Sequence, residues 1–363
     1  MRGAMTCRPT RCAVTLLAAL CALNLADTQG ERSRATLAVS HTVLVEAIAN
    51  GTPACVTDII AGDHPGELTV VTQTDIRSIG ADGVVHRIVP FPEWVWRPAA
   101  IRLEPGGGTQ FIGVTGYPRL FARRGHVVVF DADGQPVASC VSQIQALVMT
   151  ADVEGDERQE LIVRASDGVA IHDVGGERVA FLRAPRYLDH VQVIDRAGGK
   201  AAILLYMYES ARKGARYLVL DASGGVVADW HDARDHRVWP WVWAWNGKLP
   251  VVWTASGDEI TAAAVGGAVV ERYAAPGAGT FKYFFGGELR GGRKVLIGSA
   301  GGSLVRSAIY VYGPDHALAH SETLATRVSA LYTPDEDGTV FFVGTDDQVL
   351  RYEVVRLPAG AGR

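Results

Sequence analysis

The stretch IQALVMTADVEGDERQELIVRASDGVAIHDVGGERVAFLRA, residues 144–184, decides the fold. Its four short apolar runs are separated by an acidic loop, a Ser-Asp-Gly turn and a Gly-Gly hairpin. This alternation predicts a four-stranded antiparallel sheet of about 40 residues. A sheet that small cannot bury both of its faces alone, so the stretch implies copies of itself elsewhere in the chain.

Six other stretches align with this unit. Each begins with an apolar strand, crosses an acidic or Gly-rich loop and enters a second apolar strand, and most then make a tight hairpin. A four-stranded unit with a period of about 40 to 45 residues is typical of β-propellers. We therefore predict an all-β fold, a seven-bladed β-propeller with four-stranded antiparallel blades. The predicted blades lie near residues 55–91, 97–140, 144–184, 187–231, 238–276, 281–324 and 327–355.

The hairpins and the first predicted strand support this count. The tetrapeptides GADG, DADG, DVGG, DASG, AVGG and GPDH recur at the same point of six units, and such residues allow the positive φ of a two-residue hairpin. The seventh unit supplies only three strands. The segment 35–48 is a spare strand, so we predict that it completes the last blade and closes the ring. A six- or eight-bladed ring is the alternative if one unit has been divided wrongly.

Composition limits the class of protein and of partner. Hydrophobic residues make up 48% of the chain and charged residues 20%, which is typical of a packed globular protein and not of a disordered one. The net charge of −4 gives no basic footprint, so nucleic acid is not an expected partner.

The first 26 residues are typical of a secretory signal peptide. Three arginines within the first 11 residues precede an apolar run, residues 12–26, that ends in the small residue Ala26 and is short for a bilayer span. Cleavage would leave residues 27–363 as one propeller domain in the periplasm or outside the cell. Cys21 permits a lipoprotein interpretation, but Leu20 stands where a small residue should precede a lipidated cysteine. No later stretch predicts a transmembrane helix.

Two cysteines, Cys55 and Cys140, remain beyond this segment. In an oxidising compartment they could form a disulfide. The predicted blades put Cys55 near an inner strand and Cys140 at the end of an outer strand, which favours two separate thiols.

The loop DVEGDERQEL, residues 152–161, has an acidic residue at alternate positions and an acidic-Leu pair at the start of the next strand. This pattern resembles the FG-GAP/VCBS repeat family, which includes the propellers of integrin α-subunits and many secreted bacterial proteins. The resemblance is clear in this blade and partial in residues 61–71 and 333–343. Elsewhere only the skeleton of strands and hairpins matches.

In that family the loop binds Ca²⁺, and the resemblance implies the same function here. Acidic residues at alternate positions of a tight loop supply the several oxygens that a hard cation needs. The implied ligands are Asp152, Glu154, Asp156 and Glu160. Two positions depart from the family pattern, because Glu154 is longer than the usual Asp and Glu157 stands where Gly normally permits the sharp turn. A solvated acidic turn is the alternative, and residues 335–337 are a weaker second candidate.

The segments that lead into the innermost strands gather at one end of a propeller, and here they are rich in aromatic and charged residues. The predicted ligand-binding residues are Trp94, Trp96, Arg97, Tyr187, His190, Asp235, His236, Trp239, Lys282, Tyr283 and Arg327. Alternating tryptophans in one of these segments would share one face of a strand. These are Trp239, Trp241, Trp243 and Trp245. They would either pack between blades or stack on a sugar ring or a planar cofactor.

Three kinds of function fit these features. The first is a secreted or periplasmic binding scaffold for a protein or glycan ligand, favoured because no nucleophile elbow, zinc motif or phosphate-binding glycine loop is present. The second is an enzyme, either carbohydrate-active or quinone-dependent. A lyase would need an acid–base pair from His190, Asp235 and His236, and a quinoprotein would need a recurring Trp that this chain lacks. The third is an adhesion module stabilised by Ca²⁺, for which only one blade has a suitable loop.

Overall fold

A computed structural model describes most of the chain beyond the predicted signal peptide. The described residues are 37–46, 48–49, 52–53, 55–101, 103, 107–115, 124–143, 148–165, 167–185, 187–194, 200–210, 212–234, 238–243, 250–289, 291–299, 306–334 and 339–356. Several residues of interest lie outside this set. They are the predicted signal peptide, Asp235, His236, Trp245 and the acidic residues 335–337.

The described chain forms seven four-stranded antiparallel sheets, the blades. Blade 7 contains β1 (Leu37–Glu46), and a separate hairpin contains β2 (Ile48–Ala49) and β3 (Thr52–Pro53). Blade 1 contains β4 (Val56–Ala61), β5 (Leu68–Thr72), β6 (Asp75–Ile79) and β7 (Val85–Pro90), and blade 2 contains β8 (Trp96–Ile101), β9 (Gln110–Thr115), β10 (Arg124–Phe130) and β11 (Pro136–Gln143). Blade 3 contains β12 (Val148–Ala151), β13 (Glu160–Arg164), β14 (Gly168–His172) and β15 (Arg178–Arg183), and blade 4 contains β16 (His190–Ile194), β17 (Ala202–Ser210), β18 (Gly214–Leu220) and β19 (Val226–Asp232).

The remaining strands continue the same pattern. Blade 5 contains β20 (Trp241–Trp243), β21 (Val251–Ser256), β22 (Glu259–Ala264) and β23 (Val269–Ala274), and blade 6 contains β24 (Tyr283–Leu289), β25 (Arg293–Ser299), β26 (Ser307–Tyr312) and β27 (Leu318–Leu324). Blade 7 adds β28 (Val328–Tyr332), β29 (Val340–Thr345) and β30 (Gln348–Arg356). The one helix in the described residues is the short 3₁₀ turn Ala278–Thr280, and none is long and apolar enough to cross a membrane.

The blades form a closed ring, as predicted. The first strands of neighbouring blades contact one another, including β28 of blade 7 with β4 of blade 1. Strand β1 pairs with β30 from Leu37 opposite Arg356 to Glu46 opposite Gln348, so the first described strand is the fourth strand of the last blade. This pairing covers the edge that β30 would otherwise expose. The protein is therefore a seven-bladed β-propeller.

Six blades turn between their third and fourth strands with one shared geometry. The N–H of the fourth residue donates to the carbonyl of the first, and the fourth residue has φ between 64° and 92°. The donors are Gly83, Gly134, Gly176, Gly224, Gly267 and His316. Each turn is followed by a one-residue shift in strand pairing. The predicted hairpins are present, but they are three-residue loops with a bulge, which also suit the twist of paired strands, and not two-residue loops.

The hydrophobic core lies between neighbouring blades. Blades 3 and 4 pack through aliphatic side chains such as Val169 and Ile203, both fully buried. Blades 5 and 6 pack through aromatic rings, because Trp241 stacks on Trp253 and on Phe284 with 5.6 Å and 5.3 Å between ring centroids. Each blade thus buries its faces only against copies of itself, as the small repeat requires.

The tryptophans of blade 5 do not share one face, contrary to the prediction. Trp241 belongs to the core between blades 5 and 6, whereas Trp239 packs with the core between blades 4 and 5. The reason is that β20 begins at Trp241, so the alternation of a strand does not extend back to Trp239. The side chain of Trp243 and all of Trp245 lie outside the described residues.

Candidate functional site

The topology brings the segments before the innermost strands to one end of the ring. In every blade, neighbouring strands of the sheet are antiparallel from the innermost strand to the outermost and, except for β1 beside β30 in blade 7, they follow one another in the chain. The chain therefore changes face at every strand. The lead-in segments and the turns between second and third strands therefore lie on one face, which we call the mouth. The loops between first and second strands lie on the opposite face. The described side chains of the mouth include Trp94, Trp96, Arg97, Arg164, Asp189, His190, Gln192, Trp239, Lys282, Tyr283, Arg327 and Asp346.

Trp239 is the centre of an aromatic and cationic cluster at the mouth. The His190 ring stacks on its indole with 4.7 Å between centroids, and the Tyr283 ring lies edge-to-face with it at 4.9 Å. The Lys282 ammonium lies 4.5 Å from the indole centroid. His190 belongs to blade 4 and Lys282 to blade 6, so these contacts reach Trp239 from the blades on either side of its own. The indole is therefore a packing element and not an open platform for a sugar ring.

Arg97 reaches across the mouth. It is exposed, and its guanidinium carbon lies 5.5 Å from the Trp96 centroid and 5.2 Å from the centroid of Tyr283, which belongs to blade 6. Its φ of 48° lies in the left-handed region, which costs a residue with a Cβ about 1–2 kcal/mol. This backbone conformation coincides with a shift in the β8–β9 pairing between Trp96 and Ala99. Strain of this kind beside charged and aromatic side chains points to a binding role.

The second tryptophan of the blade 2 segment lies beside the first. Trp94 and Trp96 have 5.8 Å between their ring centroids, and both are partly buried. Together with Arg97 they form the blade 2 side of the mouth.

The histidine of the mouth is neutral, because it is buried and because its positive neighbours disfavour the protonated ring. Burial lowers the pKa of His190 to about 3, and three nearby cations contribute to that shift. The cations are Arg164, Arg97 and Lys282. The side-chain nitrogen of Gln192 lies 2.9 Å from His190 Nε2 and can donate to the neutral ring. Burial also lowers the pKa of Lys282, while the charge of Asp189 opposes that shift and the charge of Arg164 adds to it.

The seventh blade contributes a cation that is already paired. Arg327 Nε and Nη2 donate to one oxygen of Asp346 at 3.1 and 2.9 Å. The same oxygen accepts the Cys55 thiol at 3.4 Å. Burial raises the pKa of Cys55 to about 11, so this free thiol stays protonated at neutral pH. Arg327 and Cys55 thus form a closed polar group and offer little to a ligand.

Tyr187 lies away from the aromatic cluster. Its side chain is 71% exposed and lines a cavity of about 410 Å³ against the turn between β17 and β18. The other lining residues are Met207, Tyr208, Glu209, Ser210 and Lys213. The structure therefore brings most of the described predicted residues together and leaves Tyr187 at the outer margin of the same face.

The acidic loop of blade 3 lies on the face opposite the mouth and is held by its own backbone. Asp152 accepts three N–H groups at 2.5, 3.2 and 2.8 Å. Their donors are Gly155, Asp156 and Glu157. Glu157 has a φ of 69°, so the sharp turn that Gly makes in the family is made here by Glu. At the end of the loop the buried Glu160 accepts the N–H of Val153 at 2.9 Å.

These carboxylates are the ligands that the family resemblance implies for Ca²⁺. Within the described part of the chain, no group of three or more His, Cys, Asp or Glu side chains is placed to hold a metal ion. Burial raises the pKa of Glu160, and the charges of the three other implied ligands raise it further. Calcium binding by this loop stays a prediction for experiment.

Three solved structures share the fold. BBS1N, solved in complex with ARL6DN, has 13% identity, covers 85% of this chain and 94% of its own, and has a TM-score of 0.55. Virginiamycin B lyase from Staphylococcus aureus has 9% identity, covers 88% of this chain and 100% of its own, and has a TM-score of 0.56. The Dos1 propeller has 10% identity, covers 83% and 78%, and has a TM-score of 0.50. At such identities the likeness shows the propeller fold alone.

The sequence places the chain in no family. No model of a protein family matches it, and no curated protein does. The FG-GAP/VCBS pattern is therefore a local resemblance, clearest in the loop of blade 3. The residues of the mouth are the remaining guide to function.

Sequence reasoning missed three residues of the mouth because it considered only the lead-in segments. Arg164 ends β13 and Asp346 lies between β29 and β30, so both belong to turns that reach the same face by a different route. Gln192 lies on the innermost strand β16, two residues after His190. The available signal for Arg164 was a lone cation at the end of the otherwise apolar strand that follows Glu160.

Proposed function

We propose that this protein is a secreted or periplasmic β-propeller scaffold that binds a protein or glycan ligand at its mouth. The observation that carries the proposal is the convergence of side chains from blades 2, 4, 5 and 6 on one cluster. Arg97 of blade 2 lies over Tyr283 of blade 6, and Trp239 of blade 5 links His190 to Lys282. A concave site with a few convergent polar groups is the usual form of a binding site. The extracytoplasmic location is proposed from residues 1–26 alone.

A protein ligand has more support than a glycan. Binding sites for sugars commonly offer an open aromatic face, and the central indole of this mouth is covered by its neighbours. BBS1N, which has the same fold, was solved in complex with another protein. This likeness is one of fold, so it supports the proposal only by analogy.

The enzyme alternative has less support. His190 is the one described member of the predicted acid–base set, and it is buried with a pKa of about 3. A group that stays neutral and engaged with Gln192 is poorly suited to donate a proton near neutral pH.

The proposal can be tested with peptide and glycan arrays followed by matched variants. Ligands found with the purified protein are measured again with Trp96→Ala, which removes an indole of the mouth, and with Trp230→Ala. Trp230 lies on the outermost strand of blade 4 and stacks on Tyr217 with 4.9 Å between centroids, so its loss removes a similar contact elsewhere.

We expect Trp96→Ala to weaken binding by about tenfold or more and Trp230→Ala to leave it unchanged. Thermal unfolding of both variants controls for loss of the fold. If every ligand responds equally to the two variants, or to neither, the mouth is not the binding site.

A further inference from the structure

Three cations at the mouth form no close ion pair within the part of the chain that the structure describes, although the charge of Asp189 acts on Lys282 from beyond 4.0 Å. Arg97, Arg164 and Lys282 form no ion pair within 4.0 Å with any described carboxylate. In contrast, Arg327 is paired with Asp346. Arg97, Arg164 and Lys282 thus gather positive charge around His190 on a chain whose net charge is −4. Charge of this kind attracts anions and raises their rate of association.

The cations also act on one another at short range. Arg164 donates to the carbonyl of Leu188 at 2.5 Å, which places its guanidinium beside the segment that leads into His190. Its charge lowers the pKa of Lys282, and together they act on the imidazole of His190. Like charges at a partly buried site repel one another, so a bound anion would relieve an unfavourable interaction.

The aromatic rings of the mouth are already in contact with protein groups. Trp239 is contacted by an imidazole, a phenol and an ammonium, and the Arg97 guanidinium lies over Trp96 and Tyr283. Arg97 itself is exposed. A ligand would therefore be selected by charge and hydrogen bonding more than by ring stacking.

We propose, resting on the function proposed above, that the mouth binds an acidic segment of a partner protein. Side-chain carboxylates of that segment would bind Arg97, Arg164 and Lys282. Guanidinium groups bind carboxylates through two parallel hydrogen bonds, and Lys282 adds a point charge. An extended acidic peptide can present several carboxylates to cations that come from three different blades.

The backbone of Arg97 fits this role. The shift in pairing at the start of β8 and the left-handed φ of 48° take Arg97 out of the regular strand. Bulges next to functional sites commonly redirect a side chain in this way. In this conformation the guanidinium lies beside Trp96 and over Tyr283 of blade 6.

The test uses fluorescently labelled oligoglutamate and measures its binding to the full protein at low and high salt. The variants are Arg97→Asn and Arg164→Gln, each of which removes one cation. Asn tolerates a positive φ better than most residues, so Arg97→Asn changes the charge without adding backbone strain. Arg87→Asn is the matched control, because Arg87 is an exposed arginine on the outer strand β7 whose side chain is 54% exposed.

We expect oligoglutamate to bind at low salt and to be released by high salt. Each mouth variant should weaken binding about tenfold, which corresponds to the loss of one charge-assisted interaction. Arg87→Asn should leave the affinity unchanged. Oligolysine and a Gly-Ser peptide of the same length should not bind.

The other outcomes separate this inference from the proposed function. If oligogalacturonate binds more tightly than oligoglutamate and loses affinity in the same variants, the ligand is an acidic glycan and the acidic-peptide inference is wrong. If an uncharged ligand binds and is lost in Trp96→Ala but not in Arg97→Asn, the mouth is a binding site that does not select acidic groups. If oligoglutamate does not bind, the inference is wrong, whereas the scaffold function fails only if the array ligands are also insensitive to Trp96→Ala.

Discussion

The mouth and the acidic loop of blade 3 lie on opposite faces of the ring, and they differ in how their charged side chains are bonded. In the loop, residues 152–160, the carboxylates of Asp152 and Glu160 accept backbone N–H groups of the same loop. In the mouth, Arg97 and Lys282 come from different blades and form no ion pair with a described carboxylate. The loop holds its carboxylates by its own backbone, whereas the mouth brings cations of different blades together without a close ion pair among the described residues.

The difference teaches that a recognisable motif is a weak guide to which group of charges can bind a ligand. Residues that are close in sequence can bond to their own backbone, and Asp152, Asp156 and Glu160 of the loop do so. Residues that meet only in the folded ring have no such local partner.

The largest expected effect is on the loop. Asp152→Ala removes the acceptor of three backbone N–H groups, so we expect the free energy of unfolding to fall by about 2–3 kcal/mol. Asp156→Ala is the control, because Asp156 accepts one exposed N–H at 3.0 Å and its loss should cost about 1 kcal/mol or less. Urea unfolding of both variants gives the values.

The same experiment, repeated with excess Ca²⁺ and with a chelator, decides the calcium question. The observed hydrogen bonds predict an equal loss of stability in both conditions. A rise in wild-type stability with Ca²⁺ that disappears in Asp152→Ala would contradict this and would restore the metal site implied by the family resemblance.

A smaller effect is expected from Glu160→Gln, and it depends on pH. Burial raises the pKa of Glu160 above its ordinary value of 4.5, so the folded protein binds this proton more readily than the unfolded chain does. The ionised form therefore costs stability at neutral pH, and that cost disappears as the pH falls through the raised pKa to below 4.5. We expect the variant to be more stable than the wild type at neutral pH, by up to about 1 kcal/mol, and equally stable in acid.

Chemical unfolding at a series of pH values measures this difference. Glu93→Gln, which changes an exposed glutamate, should show no such trend. The sign of this difference in stability also tests for calcium binding. If Glu160 were a Ca²⁺ ligand, Glu160→Gln would be less stable than the wild type when Ca²⁺ is present.

The smallest effect on stability is expected at the mouth. Arg97→Asn loses two cation–π contacts but relieves part of the strain of a positive φ, so the free energy of unfolding should change by less than about 1 kcal/mol. Thermal unfolding checks this alongside the oligoglutamate measurement. A loss of several kcal/mol would mean that Arg97 holds blades 2 and 6 together. The mouth would then stabilise the fold, as the loop does.

The fold was largely predictable because its determinants are local and repeated. Apolar runs of strand length and Gly-containing turns recur with one period, and a ring follows because each sheet can bury its faces only against another. The same logic predicted that the strand β1 completes the last blade beside β30. The exact turn was not predictable from tetrapeptides such as GADG, because two-residue and bulged three-residue loops both use Gly at a positive φ.

The sequence also predicted some of the residues that lie at the mouth, because the order of strands fixes the face of each connecting segment. A residue that precedes an innermost strand must lie on one face, so Trp96, His190, Lys282 and Tyr283 were identified by position alone. Arg164 was missed because it reaches that face through the turn after β13.

The pattern of residues along the chain was enough to predict the repeat, a ring closed by the first strand and the face on which each loop lies, with seven blades as the favoured count. Only the tertiary structure decided that Trp239 is covered, that Trp241 turns to the other core, and that Arg97 lies over Tyr283. The physical reason is that strand period and turn chemistry act between neighbours in the chain. Contacts across the ring depend instead on the spacing and twist of whole blades, which no short segment specifies.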